Sequence, residues 1–269
     1  MAKTMGSSMG SSMRKSTGNS IARWSFTLLA SAALGCAAGT ASSAPTSHPD
    51  FSGVWGEYSQ PGQPSIRDLR AHKNFPFTPE AQRKVAQYRA LVTPADDSPG
   101  KFCLGYGLPE SMLFSGGYPM EIVQRPDELV ILYEAQSELR HIYLGSKIIA
   151  PDDRIPDRDG YSTGRWEGDT LVVETSSLKE QEDNAYPHSA DARLVERYHL
   201  THDAKGSKIL EDDWTLTDPA FYTHPVAAVK KWAFEPKGVL LAYECNEEEW
   251  LDHLETLEKR KGGGLPEVY

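Results

Sequence analysis

From Pro119 onward the chain alternates short runs rich in Val, Ile, Tyr, Thr and Trp with clusters of turn-forming residues. The extended runs fall at Met120–Gln124, Glu128–Ala135, Leu139–Leu144, Gly160–Glu167, Thr170–Ser176, Arg193–His202, Ser207–Thr217, Val229–Glu235 and Val239–Cys245. Arg125-Pro-Asp, Glu167-Gly-Asp, Asp203-Ala-Lys-Gly and Glu235-Pro-Lys-Gly punctuate them. Gly, Pro and Asp supply the backbone conformations that reverse a chain, so a cluster of them between two extended runs reads as a hairpin turn. Spacing this short leaves no room for crossover helices. The pattern predicts a mainly β protein, an antiparallel up-and-down meander closed as a barrel or strongly curled.

The first part of the chain is organised differently. Asp50–Gly56 reads as one strand inside an entry segment rich in Pro, Gly and Ser. Thr78-Pro-Glu-Ala-Gln then predicts a helix start: Thr78 caps, Pro79 suits the first helical position and Glu80 faces the positive end of the dipole. That helix is expected to run to about Leu91, where Thr93-Pro94 stops it. Residues 93–118, with Cys103, Gly-rich turns and Pro109, read as a long loop. Glu247–Lys261 is charged and predicts a short C-terminal helix, followed by a disordered Gly-Gly-Gly-Leu-Pro end. The resulting division is 1–44, 45–118, a barrel core of 119–246 joined by 50–56, and a charged tail, 247–269.

Residues 1–44 carry four basic and no acidic side chains, followed by an apolar run from Trp24 to Cys36 and small residues through Ala44. A basic start, a short apolar run and small residues are the pattern of a secretory signal peptide, too short to span a bilayer stably. Leu34-Gly35-Cys36 resembles the end of a lipoprotein signal, so a lipid anchor to the membrane through Cys36 is the alternative to simple cleavage. Without these residues the chain holds 24 basic and 38 acidic groups, a net charge of −14. That surface repels phosphate backbones, and no nucleic acid partner is expected. Cys103 and Cys245, far apart in a protein expected in the periplasm or secreted, read as one disulfide. The alternative, a nucleophilic thiol, lacks the flanking motif of a cysteine enzyme.

Alternation also shows which polar groups turn inward. On Arg193–His202 one face carries Leu194, Glu196, Tyr198 and Leu200, which puts Glu196 and Tyr198 among the interior residues. An interior carboxylate is either paired with an arginine across strands or serves as a general base. Leu139–Tyr143 places His141 and Tyr143 on one face and Arg140 on the other, with Tyr133 and Glu134 near them across a hairpin. His188, held by Pro187, reads as a half-exposed acid/base at a barrel mouth. Tyr161 and Ser162 are expected to project into a cavity, and Arg165 and Trp166 to stack. His199 and His202, three apart on a strand, face opposite sides, and neither a zinc-type spacing nor a nucleotide-binding loop is present in the sequence. No metal and no cofactor are expected.

Several motifs form a wider pattern: Phe77-Thr-Pro-Glu-Ala81, Glu121-Ile-Val-Gln, Leu132-Tyr-Glu134, Arg140-His-Ile-Tyr143, Gly164-Arg-Trp-Glu-Gly-Asp-Thr-Leu-Val-Val173, Pro187-His-Ser189, Val195-Glu-Arg197, and Asp218-Pro with Tyr222-Thr. They resemble a recurrent family of exported bacterial proteins, over most of residues 50–245. That resemblance implies export and brings no assigned activity. Tyr161 stands where that family has histidine, and Ala190 where it has an acidic residue. Gly53-Val-Trp55 resembles the Gly-x-Trp opening of lipocalin-like barrels. The readings for function are then three. The first is a cofactor-independent lyase or isomerase acting by proton transfer on a small apolar or cyclic molecule. Its catalytic residues are His188, Glu196 and Tyr133, and Arg140, His141, Tyr143, Tyr161, Trp166 and Tyr198 contact the substrate. The second is a lipocalin-like protein that binds a hydrophobic small molecule without turnover, and the third a structural envelope protein.

Overall fold

The computed structural model describes residues 48–58, 72–92, 102–115 and 117–260. The expected signal segment with Cys36, and the Gly-rich C-terminal end, lie outside the described residues. Nine strands form a closed barrel in sequence order. They are β1 (Gly53–Glu57), β2 (Met120–Gln124), β3 (Glu128–Tyr133), β4 (Glu138–Leu144), β5 (Tyr161–Glu167), β6 (Thr170–Ser176), β7 (Arg193–His202), β8 (Lys208–Thr217) and β9 (Val226–Phe234). The helices are α1 (Pro79–Leu91), α2 (Glu110–Phe114) and α3 (Cys245–Arg260). Thr78 caps α1 as its sequence predicts, accepting the Ala81 N–H through its hydroxyl, and the helix buries Ala81 and Val85.

Sequential hairpins account for most of the ring, but β4 and β5 pair in parallel, Ile142 opposite Ser162 and Leu144 opposite Gly164. This departs from the all-antiparallel expectation for a geometric reason. Direction cannot alternate all the way round a closed ring with an odd number of strands, so at least one neighbouring pair must be parallel. The connection 145–160 carries the chain back to make that pair. The strand expected at 239–245 is also absent: 239–244 is irregular and Cys245 opens α3. β9 already pairs with both β8 and β1, so no sheet edge is left for a tenth strand. The loop expected over 93–118 contains α2, whose Met112 is fully buried in the core.

Strand directions place tight turns at one end of the barrel and the long β1–β2, β6–β7 and β8–β9 connections at the other. At the tight-turn end Phe51 is buried, and its carbonyl accepts the Trp55 indole N–H at 2.8 Å. Phe51 leans on Trp166, whose other contact is the stacked ring of His48 at 4.6 Å. This half is packed tightly: a Cβ at Gly164 would lie 2.7 Å from Leu144 Cδ2. At the opposite end the loop cap is tied by Glu138, which accepts the Gly107 N–H at 2.9 Å and the Ser111 hydroxyl at 2.6 Å. Cys103 and Cys245 form the expected disulfide, Cα atoms 5.4 Å apart, joining the segment before α2 to the start of α3. Among the described residues no helix is long and apolar enough to cross a membrane.

Candidate functional site

Residues opposite one another on neighbouring strands share a face. Following that rule around the ring, Ile131 lies opposite Arg140, Val173 opposite Glu196, Glu196 opposite Trp214, Tyr198 opposite Asp212, and Asp212 opposite Lys230. The interior therefore holds ionisable groups from β4, β7, β8 and β9. Its centre is an ion pair. Arg140 and Glu196 are both essentially inaccessible to solvent, and the guanidinium grips the carboxylate through both terminal nitrogens, Nη1 to Oε1 at 2.8 Å and Nη2 to Oε2. The remaining polar atoms are bonded as well. Arg140 Nε donates to Ser162 Oγ at 3.0 Å, Nη2 to Thr175 Oγ1 at 3.0 Å, and Tyr198 Oη to Glu196 Oε1 at 2.7 Å. Burial pulls the Arg140 proton affinity down, but the Glu196 charge and hydrogen bonds outweigh it, holding the guanidinium well above its usual range.

Around this pair the bonding is incomplete. Tyr133 Oη, Asp212 Oδ2 and Trp214 Nε1 are buried and find no hydrogen-bond partner among the described residues. The other Asp212 oxygen accepts the Arg197 backbone N–H at 2.9 Å. Burial, then the Glu196 charge, push the Asp212 carboxyl well above its ordinary value. Burial likewise pushes the Tyr133 phenol up, although its ring sits within reach of the Arg140 charge. Nearer the cap, Asp159 is pushed up by burial and then by the neighbouring Glu138.

Lys230 is the further interior cation. It is buried, and its amine donates to the Leu113 carbonyl at the end of α2 at 3.1 Å. Burial lowers it from an ordinary 10.5 to about 8. Below pH 8 both folded and unfolded chains carry the proton, and the cost of burying the charge is felt in full. Between pH 8 and 10.5 the unfolded chain binds more protons, so stability rises with pH across that window. Lys230→Met is therefore expected to stabilise the protein by about 1–3 kcal/mol at pH 7, with the gain shrinking towards pH 10. Urea unfolding at the two pH values checks this, and an equal gain at both would refute the burial argument.

The structure thus brings Tyr133, Arg140, Glu196 and Tyr198 together. It does not bring the other expected site residues to them. His188 is buried rather than half-exposed, because its loop folds beneath the cap: Nε2 lies 3.0 Å from the Leu108 carbonyl and Nδ1 3.1 Å from that of Ser189. Burial lowers its pKa below the ordinary histidine value. Tyr161 is on the outer face of β5, correcting the expectation that it enters a cavity. The alternation that turns Ser162 inward turns Tyr161 out, against Tyr143 at 5.0 Å and beneath the Arg154 guanidinium at 4.4 Å. His141 stacks on Tyr143 on that same outer face, at 5.6 Å. Glu134 is engaged outside the barrel by the Leu241 N–H at 2.7 Å. Arg165 does not stack on Trp166, since adjacent strand residues face opposite ways, and instead pairs with Glu167 and Glu174. Asp212, Trp214, Thr175 and Lys230 are interior residues that the sequence reading does not single out.

Fold and interior define a closed β-barrel with a buried ion pair beneath a loop cap. No family model, curated protein or solved structure matches the chain.

Proposed function

We propose that this protein works outside the cytoplasm as a small-molecule-binding barrel, its ligand held in the interior beside the Arg140–Glu196 pair. One observation carries the reading: Tyr133, Asp212 and Trp214 turn buried, unpartnered polar atoms into the same interior. Buried polar groups in folded proteins are nearly always bonded, so three exceptions on one interior face mark a place where a bound molecule can supply the missing partners. Export is supported by the disulfide and by the basic-then-apolar start of the chain. Proton-transfer catalysis by a lyase or isomerase is the second reading. The inward, unpartnered Tyr133 hydroxyl favours it, since it can donate to a developing oxyanion. Binding ranks first because Glu196 is occupied by Arg140 and His188 lies against two carbonyls.

Incubation of the full chain with a bacterial metabolite extract, followed by native mass spectrometry, separates these readings. The expected result is a small molecule retained by the wild type, unchanged in mass, and lost from a folded Tyr133→Phe variant. A compound consumed and converted would move the assignment to the enzyme. A protein that neither retains nor converts anything would overturn both.

A further inference from the structure

The charge balance of the interior narrows what such a ligand can be. The guanidinium of Arg140 is engaged by Glu196, Ser162 and Thr175. Lys230, the nearest other cation in register, turns its amine to the Leu113 carbonyl. Among the described residues the Arg140 charge is thus met by Glu196 and the Lys230 amine is turned to a backbone carbonyl, so neither interior cation is bonded to the unpartnered atoms, and burying an unpaired carboxylate or phosphate against those atoms would be strongly unfavourable. Two of the unpartnered atoms, by contrast, share one property. An indole N–H only donates, and a phenol that keeps its proton donates. Beside them lies the unpartnered Asp212 Oδ2, whose fellow oxygen accepts the Arg197 N–H at 2.9 Å. All three lie on the face that carries the ion pair: Trp214 is opposite Glu196, Asp212 opposite Tyr198, and Tyr133 is two residues along β3 from Ile131, which is opposite Arg140. They lie towards the capped end, where Tyr186 of the β6–β7 connection packs edge-on against Trp214 at 5.0 Å.

We infer that Tyr133 Oη and Trp214 Nε1 form a hydrogen-bond donor set for a neutral oxygen acceptor, so that the ligand is an uncharged carbonyl compound with an apolar body. This rests on the binding reading above and specifies its chemistry. Donors left bare in the free protein cost stability and gain affinity, because only a ligand with a matching acceptor relieves them.

The test uses the full chain and a graded series of ketones, from acetone to cyclododecanone. Each is compared with the hydrocarbon in which a methylene group replaces the carbonyl oxygen, and with the carboxylate of similar size. Calorimetric titration is expected to find one size of ketone binding at least tenfold more tightly than its hydrocarbon partner, with the carboxylate weaker than both. Tyr133→Phe and Trp214→Phe should each weaken ketone binding about tenfold, equivalent to about 1.4 kcal/mol. The urea midpoint of Tyr133→Phe should be unchanged or raised, since an unpartnered buried hydroxyl has been removed with little change of volume. Equal affinity for ketone and hydrocarbon would overturn the donor set while leaving a binding barrel. Tighter binding of the carboxylate would overturn it in favour of charge recognition. Binding of no ketone would also overturn it, and the extract experiment would then decide whether any ligand binds. A lowered urea midpoint in Tyr133→Phe would assign its hydroxyl to structural water and sink the inference on its own.

Discussion

Arg140→Met on its own is expected to destabilise the protein by about 3–5 kcal/mol, while Arg140→Met combined with Glu196→Leu should lie within about 2 kcal/mol of the wild type. The asymmetry follows from where the pair sits. Glu196 is fully buried, and its neighbours along the interior face are Leu194 and Tyr198. Without the guanidinium it keeps only the Tyr198 hydroxyl, and an uncompensated carboxylate remains in a medium that solvates it poorly. Removing the carboxylate as well removes that penalty. Ser162 and Thr175 keep each other at 2.8 Å when Arg140 is gone, so the double variant orphans little beyond the Tyr198 hydroxyl. Urea unfolding of the wild type, both single variants and the double variant closes the thermodynamic cycle, with the buried Trp55, Trp214 and Trp232 as fluorescence reporters. Additive single effects would mean that the pair is not coupled and that the interior is wetter than the geometry shows. The near-neutral double variant would also bear on function. A buried ion pair that stability does not require has to be explained by what it positions, and here it lies among three unpartnered polar atoms.

The sequence carries this architecture unevenly, and the reasons are local. Strand existence is legible because alternation is a property of neighbours: Leu194, Glu196, Tyr198 and Leu200 declare one face, and Glu196 stands out on it. The same rule applied to Leu210, Asp212, Trp214 and Leu216 marks Asp212, and applied to Val226, Ala228, Lys230 and Trp232 it marks Lys230. Those two are harder to single out, because charged residues on the outer face flank them, Glu211 and Asp213 beside one and Lys231 beside the other. Properties of the closed ring are not legible at all. The parallel β4–β5 pair follows from an odd strand count, and the irregular 239–244 segment from the lack of a free edge, and neither leaves a mark in local sequence. α2 is too short to show a helical period. Burial of His188 depends on the Leu108 carbonyl, distant in sequence, meeting its ring.

The second large effect is expected from the disulfide. Replacing Cys103 and Cys245 together by serine should lower the unfolding free energy by about 3–5 kcal/mol, because a bridge spanning a sequence separation of 142 removes much of the freedom of the unfolded chain. It should also change how the protein comes apart. β9 ends at Phe234, and the contacts of the chain from there to α3 include Glu235 N–H to the Val54 carbonyl at 2.9 Å, Leu241 N–H to Glu134 at 2.7 Å, the Gln136 amide to the Tyr243 hydroxyl at 3.0 Å, and the Tyr243 ring edge-on to Tyr118 at 5.9 Å. Val239 and Leu241 stay about two-thirds exposed, 67% and 68%, so little apolar area is buried to hold this segment. The covalent link supplies the attachment that packing does not. Once it is cut, residues 235–260 should become sensitive to protease at denaturant concentrations that leave the barrel intact, which is local opening of a weakly packed unit. Dithiothreitol treatment of the wild type should reproduce both effects. A double-serine variant with an unchanged urea midpoint and an uncut C-terminal segment would show that packing alone is sufficient. A loss of the expected size is a substantial part of the 5–15 kcal/mol that typically separates folded from unfolded domains. A chain that depends on the bridge to this degree is best matured where thiols oxidise, which ties the energetics of the disulfide to the proposed export.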